Sequence, residues 1–185
     1  QRRPRLKHIA DVDGVLVGRQ PDAVGRQHAV HDLDDLLHAG LHVIDAADIH
    51  LDSPLRGLER YEGAPVDEMR DATRRAFANV VDLAIERAAD CVLIAGDIFD
   101  GDWPDFNTGL YFAAQLRRLA AADIRVFLSY GNHDAVSKLT RSLPLPQNVF
   151  CFPANRPATQ VLADLDVAIH GQSFAADIDR AWGSE

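Results

Sequence analysis

Three short apolar runs constrain this chain more than any other feature: LHVIDAA (41–47), CVLIA (91–95) and RVFLSY (125–130). Each has the length of a strand. Each stops at polar residues: Asp48 and His50 after the first, Gly96-Asp97 after the second, Gly131-Asn132-His133 after the third. Helical sequence separates them. In PVDEMRDATRRAFANVVDLAIERAAD (65–90), Pro65 suits a first helical turn, and Asp67 and Glu68 suit its positive end. Met69, Ala72, Ala76, Val80, Leu83 and Ala84 recur there at helical spacing. A second helix is expected from about Phe106 to Ala122, and shorter strands in NVFCF, TQVLA and DVAIHG. Strand–helix–strand units of this length imply right-handed crossovers and a largely parallel sheet. In open α/β sheets, ligands bind outside the carboxyl ends of the strands. The three polar strand ends should therefore meet on one rim, although residues 48, 97 and 132 are far apart in sequence. The fold class expected is α/β, a layered sandwich of helices against sheet.

Composition fits one soluble globular domain, with 47% apolar and 25% charged residues over 185 positions. No apolar run approaches the roughly 20 residues that span a bilayer. The basic start, QRRPRLKHIADVDG, lacks the apolar stretch of a signal peptide. Cys91 and Cys151 sit in apolar surroundings and read as core residues rather than a disulfide or a metal pair. A cytoplasmic protein without membrane contact is the expectation. The net charge of −9 does not advertise nucleic-acid binding. That argument is weak for a metal site, which concentrates carboxylates and whose cations reverse the local field. The chain does not begin with Met, and no terminating signal appears near Trp182–Glu185, so a fragment at both ends is expected.

Residues 1–40 lack a consistent period and read as an extension or remnant outside the main domain, which would run from 41 to 185. HIADVDGVLVG carries Asp11 and Asp13 in the form that opens haloacid-dehalogenase-type phosphatases, but the likeness covers about ten residues and a different strand–helix pattern begins at 41. His28 and His31 read as part of a solvated helix or loop rather than a metal pair.

Four motifs follow in order: DIH (48–50), GDIFD (96–100), GNHD (131–134) and HGQSF (170–174). Together they resemble the calcineurin-like metallophosphoesterases over residues 41 to about 175. The wording AADIHLDSPL, YEGAP, TRRAF, LIAGDIFDGDW, GNHDA and AIHGQSF is similar to the nuclease subunit of SbcCD-type DNA repair exonucleases and to its YhaO-like relatives.

The chemistry agrees with the resemblance. A phosphodiester is anionic and resists attack by water. Two divalent cations about 3.5–4 Å apart can clamp its oxygens and lower the pKa of a bound water. Such a pair needs a bridging carboxylate, and Asp97, after a glycine that permits a sharp turn, is the candidate. Asp48 and His50, two apart in an extended segment, should point to one side and share a metal. Asn132 offers a neutral carbonyl oxygen to the second. Mixed oxygen and nitrogen donors suit Mn²⁺, with Fe or Zn as alternatives. The resemblance implies that His133 binds no metal and instead protonates or stabilises the leaving oxygen. Asp134 would hold the His133 ring in one tautomer, and Asp100 would orient a metal ligand; simple helix caps are an equal reading of both.

His170, in a strand-like run, reads as a core histidine and is left out of the site. Arg56, Arg60, Lys138 and Arg141 flank the motifs as phosphate contacts or as solvated charge. The resemblance implies further metal-binding histidines downstream of HGQSF, and the chain ends at Glu185 before any of them. The isolated chain is therefore expected to be a poor catalyst. The leading reading is a DNA exonuclease or endonuclease subunit in DNA repair. The resemblance implies an SMC-like ATPase partner and allows a homodimer. Two alternatives stay open: a phosphatase or phosphodiesterase acting on small nucleotides, and a non-catalytic scaffold with the same fold.

Overall fold

The computed structural model describes residues 15–19, 41–53, 66–100, 106–137, 140 and 142–175. Asp11, Asp13, His28, His31, Arg56, Arg60, Lys138 and Arg141 lie outside the described residues.

A four-stranded parallel sheet forms the centre: β2 (Val43–Ala47), β3 (Cys91–Ala95), β4 (Arg125–Ser129) and β5 (Val149–Cys151), side by side in chain order. Helix α1 (Val66–Glu86) connects β2 to β3, and α2 (Phe106–Ala121) connects β3 to β4. The short helix α3 (Asn132–Val136) follows β4. A second, three-stranded sheet is antiparallel, with β7 (Val167–Gly171) between β1 (Val15–Arg19) and β6 (Ala158–Leu162). The expectation of a largely parallel sheet thus holds for the central layer only. Strands β6 and β7 are joined by a short turn, which permits only antiparallel pairing. One strand of this sheet comes from ahead of residue 41. Val15 pairs with Gly171 and Arg19 with Val167, so Val15–Arg19, read as part of an extension or remnant, lies beside β7.

Central strands buried on both faces read as continuous apolar runs, and β3 and β4 show why. Val92, Ile94, Val126 and Leu128 face one core with Phe77, Val81, Ala84, Phe112, Leu116 and Leu119 of the helices. Cys91, Leu93, Ala95 and Phe127 face another with Phe152, Leu162, Val167 and Ile169. The layers are therefore helices, parallel sheet and antiparallel sheet. Burial pushes the Cys91 thiol up to about 12, in keeping with an inert core residue.

Helix α1 buries Phe77, Val81 and Ala84, whereas Ala72, Ala76 and Leu83 are exposed. The apolar stripe is rotated from the one expected, because the large Phe77 and Val81 side chains gain more from burial than alanines do. Among the described residues, no helix is long and apolar enough to cross a membrane.

Phe112 stacks on Phe77 with ring centroids 5.3 Å apart and meets Phe99 edge-on at 5.5 Å. Phe99 belongs to the GDIFD loop, so this ring cluster seats that loop on both helices. Phe112→Ala should cost about 3–5 kcal/mol and lower the melting temperature by roughly 10 °C, read by thermal unfolding. A loss under about 1 kcal/mol would show that the rings do not seat the loop.

Candidate metal centre

The polar strand ends lie on one rim. One donor atom each from Asp48, His50 and Asp97 falls within 4.8 Å of the other two. Asp48, Asp97 and Asn132 line one cleft of about 580 Å³, together with Gly96, Gly131 and Tyr130.

The backbone that achieves this is strained. Asp48 (φ 50°), His50 (φ 45°), Asp52 (φ 55°) and Asp97 (φ 25°) all occupy the left-handed region, which non-glycine residues visit uncommonly. Asp48 and His50 are therefore not on an extended segment, as their spacing suggested; β2 has ended at Ala47. Their convergence comes from a loop that alternates into left-handed geometry. Such geometry persists only when surroundings over-determine it. Here the His50 N–H donates to the Asp97 carbonyl at 3.0 Å and the Leu51 N–H to the Ile98 carbonyl at 2.8 Å. Asp52 is buried, and its carboxylate accepts from Arg74 Nε at 2.8 Å and from Thr108 Oγ1 at 2.6 Å. That carboxylate pins the loop to both helices.

Gly96 is also left-handed (φ 69°), the geometry for which glycine carries no Cβ cost. Gly131 serves differently. A Cβ there would lie 2.2 Å from Asp97 Oδ1 and 2.3 Å from the Asp97 nitrogen. Only glycine lets the GNHD turn come this close to Asp97. The His133 N–H then donates to Asp97 Oδ1 at 3.1 Å and fixes the carboxylate.

Asp100 lies 2.8 Å from His50 Nδ1, and Ser53 Oγ donates to its other oxygen. Burial alone would raise the Asp100 carboxyl, but the hydrogen bonds from Ser53 and His50 outweigh it and hold it below the usual carboxylate range. An ionised Asp100 requires the proton on His50 Nδ1, which leaves Nε2 with a lone pair for a cation. His133 is half-exposed; its Nδ1 lies 3.9 Å from Asp100 Oδ1 and its ring centroid 6.0 Å from that of His50.

Of the two readings of Asp134, a partner of the His133 ring or a helix cap, its hydrogen bonds match the cap. Its buried carboxylate faces inward and accepts the backbone N–H groups of Ile98 at 3.0 Å, Phe99 at 2.9 Å and Gly131 at 3.0 Å. Burial pushes its carboxyl up, and these three hydrogen bonds pull against that shift. It is a cap for α3 and also a tie between two motif loops.

His170 hydrogen-bonds Thr159 across β6 and β7 at 2.8 Å and is not among the cleft residues. The residues after it are. Gln172, Ser173, Phe174 and Ala175 line the cleft, and no charge in the sequence marked them. Ser173 Oγ accepts from the Tyr130 N–H at 2.9 Å and donates to the Phe152 carbonyl at 2.5 Å.

The donor set fits divalent cations: two carboxylates and an imidazole for one, with Asp97 and the Asn132 amide oxygen available to a second. The profile of the calcineurin-like phosphoesterase family matches residues 41–182. The uncharacterized metallophosphoesterase YhaO of Bacillus subtilis (strain 168) is 31% identical over 114 residues, which cover 62% of this chain and 28% of that protein. The DNA double-strand break repair protein Mre11 of Aeropyrum pernix is 36% identical over 95 residues, covering 51% of this chain and 21% of Mre11. A component of the nuclease SbcCD of Rhodobacter capsulatus is 28% identical over 102 residues, covering 54% of this chain and 23% of that component. The chain thus spans between 21% and 28% of the length of these curated relatives.

Gly131→Ala should displace Asp97 and weaken Mn²⁺ binding roughly 10-fold or more, measured calorimetrically with far-UV circular dichroism unchanged. Unaltered affinity would mean that Asp97 holds no ion.

Proposed function

The chain belongs to the calcineurin-like phosphoesterase family, and from that premise we propose that it carries the front of a metal-dependent phosphodiester hydrolase that cuts DNA. The observation that carries this reading is the meeting of Asp48, His50 and Asp97 donor atoms within 4.8 Å, on a cleft that Asn132 also lines. In the proposal Asp48 and His50 would hold one divalent ion and Asn132 another, with Asp97 contributing a carboxylate to both. Mn²⁺ suits these donors, with Fe or Zn as alternatives. When bound, the ions neutralise phosphate charge and lower the pKa of water.

His133 supplies the acid. It stands outside the donor group, beside His50, with a half-exposed ring. Its Nδ1 lies 3.9 Å from the Asp100 carboxylate, and as an imidazolium the ring can donate from Nε2 to the leaving oxygen. Asp100 thus bonds His50 and lies beside His133, and Asp134 ties the GNHD turn, which presents His133, to the GDIFD loop.

DNA as the substrate rests on the motif wording and on relatives named for double-strand break repair and for the SbcCD nuclease. The same reading includes an SMC-like ATPase partner, a cytoplasmic setting and self-association into a homodimer. Small nucleotide diesters are the competing substrates, since one metal core serves both.

The test compares two variants of the intact protein with single-stranded DNA and a small chromogenic diester as substrates. His133→Ala should lower DNA cleavage by roughly 10²–10⁴-fold while Mn²⁺ affinity stays near wild type. Asp97→Ala should lose Mn²⁺ binding and cleavage together. Equal metal loss in both variants would remove the acid role from His133. Turnover of the small diester without DNA cleavage would replace the nuclease reading with the nucleotide one.

A further inference from the structure

Among the eight phenylalanines, six belong to the two cores: Phe77, Phe99, Phe112, Phe127, Phe150 and Phe152. Phe106 is exposed on α2. Phe174 differs from all of these. It is half-buried, belongs to neither core, and lines the cleft that holds Asp48, Asp97 and Asn132. A phenylalanine that lines a cation-ready cleft and belongs to neither core brings apolar surface to a site whose candidate donors are carboxylate, imidazole and amide groups.

Its position is fixed from both sides. The Phe174 N–H donates to the Tyr130 carbonyl at 2.8 Å, and the Ser173 N–H to the Pro153 carbonyl at 3.2 Å. Ser173 Oγ bridges the Tyr130 N–H and the Phe152 carbonyl. Tyr130 immediately precedes Gly131 and Asn132, so the root of the Phe174 side chain is tied to the strand end that presents Asn132. The ring itself has only two side-chain torsions, so holding it against a ligand costs little entropy. Gln172, in the same lining, is exposed, and its side-chain amide donates to the Ala154 carbonyl at 2.9 Å.

We propose that Phe174 is a substrate-binding platform on which a nucleobase next to the scissile phosphate stacks, so that the substrate class is nucleic acid with unpaired bases. This rests on the phosphodiesterase reading above and adds to it a reason for preferring base-bearing diesters. Every base has a π-face, so the platform is tolerant of sequence and requires only that the base be unstacked from its neighbours. Phosphoserine and phosphothreonine, which offer a phosphate to the metals equally well, present no comparable flat surface.

The experiment measures kcat/KM of the intact protein with Mn²⁺ on two single strands of equal length, one carrying bases and one composed of abasic tetrahydrofuran units. Four proteins are compared: wild type, Phe174→Ala, Phe174→Leu and Phe174→Tyr. Wild type should prefer the base-bearing strand. Alanine and leucine should each lower kcat/KM on that strand about 10-fold and leave the abasic strand unchanged, and tyrosine should restore the preference. Leucine preserves apolar volume, so its failure to restore separates stacking from packing. Quenching of a 2-aminopurine-labelled strand on binding gives a second readout, which alanine and leucine should abolish and tyrosine retain. Equal losses on both strands, or recovery with leucine, would overturn the stacking role while leaving the hydrolase reading intact. A wild type that cleaves neither strand would overturn both.

Discussion

The buried Asp134 carboxylate is the interaction on which the site depends. Its two oxygens accept three backbone N–H groups, two from the GDIFD loop and one from the GNHD turn. Neither loop has regular structure able to satisfy those donors, and a buried N–H without a partner costs about 1–3 kcal/mol. One side chain removes that cost three times and holds Asp97 against Gly131. The approach is so close that a β-carbon at residue 131 would overlap Asp97. Burial disfavours the ionised carboxylate, so the arrangement is itself costly, and it persists because the backbone donors stabilise the charge.

A second buried carboxylate, Asp52, does for the DIH loop what Asp134 does for the other two. It takes hydrogen bonds from Arg74 on α1 and Thr108 on α2, and Arg74 in turn stacks over the Tyr111 ring, 5.1 Å from its centroid. The left-handed residues Asp48, His50 and Asp52 lie in the short segment this anchor restrains. Strain at the rim is thus balanced by ties to the layers beneath it. The sheet brings the three strand ends near one another, and the carboxylate anchors turn nearness into a donor cluster.

Much of this was legible in the residues. The apolar runs 91–95 and 125–130 correspond to β3 and β4, and the expected helices at 65–90 and 106–122 correspond to Val66–Glu86 and Phe106–Ala121. A strand buried on both faces and a crossover helix each leave a local signature. The polar strand ends were readable because the apolar runs CVLIA and RVFLSY stop at Gly96-Asp97 and at Gly131-Asn132-His133. What was not legible depends on distant partners. The pairing of β1 with β7 joins residues about 150 positions apart and leaves no periodicity in the ordinary-looking VLVGR. The inward turn of Asp134 could not be told from a cap or a histidine partner, because one side chain satisfies several backbone groups whose positions the sequence does not print. No role for Asp52 was legible, and HGQSF marked residues 170–174 as a motif without showing that Gln172, Ser173 and Phe174 line the cleft.

The central claim is that three separate strand ends form one cation centre. Crystals of the intact protein grown with Mn²⁺, with diffraction recorded on both sides of the manganese absorption edge, test it most directly. The account predicts anomalous density within bonding distance of Asp48, His50 and Asp97, with a second peak shared between Asp97 and Asn132. Manganese bound elsewhere, or no anomalous peak at this rim under saturating Mn²⁺, would contradict it.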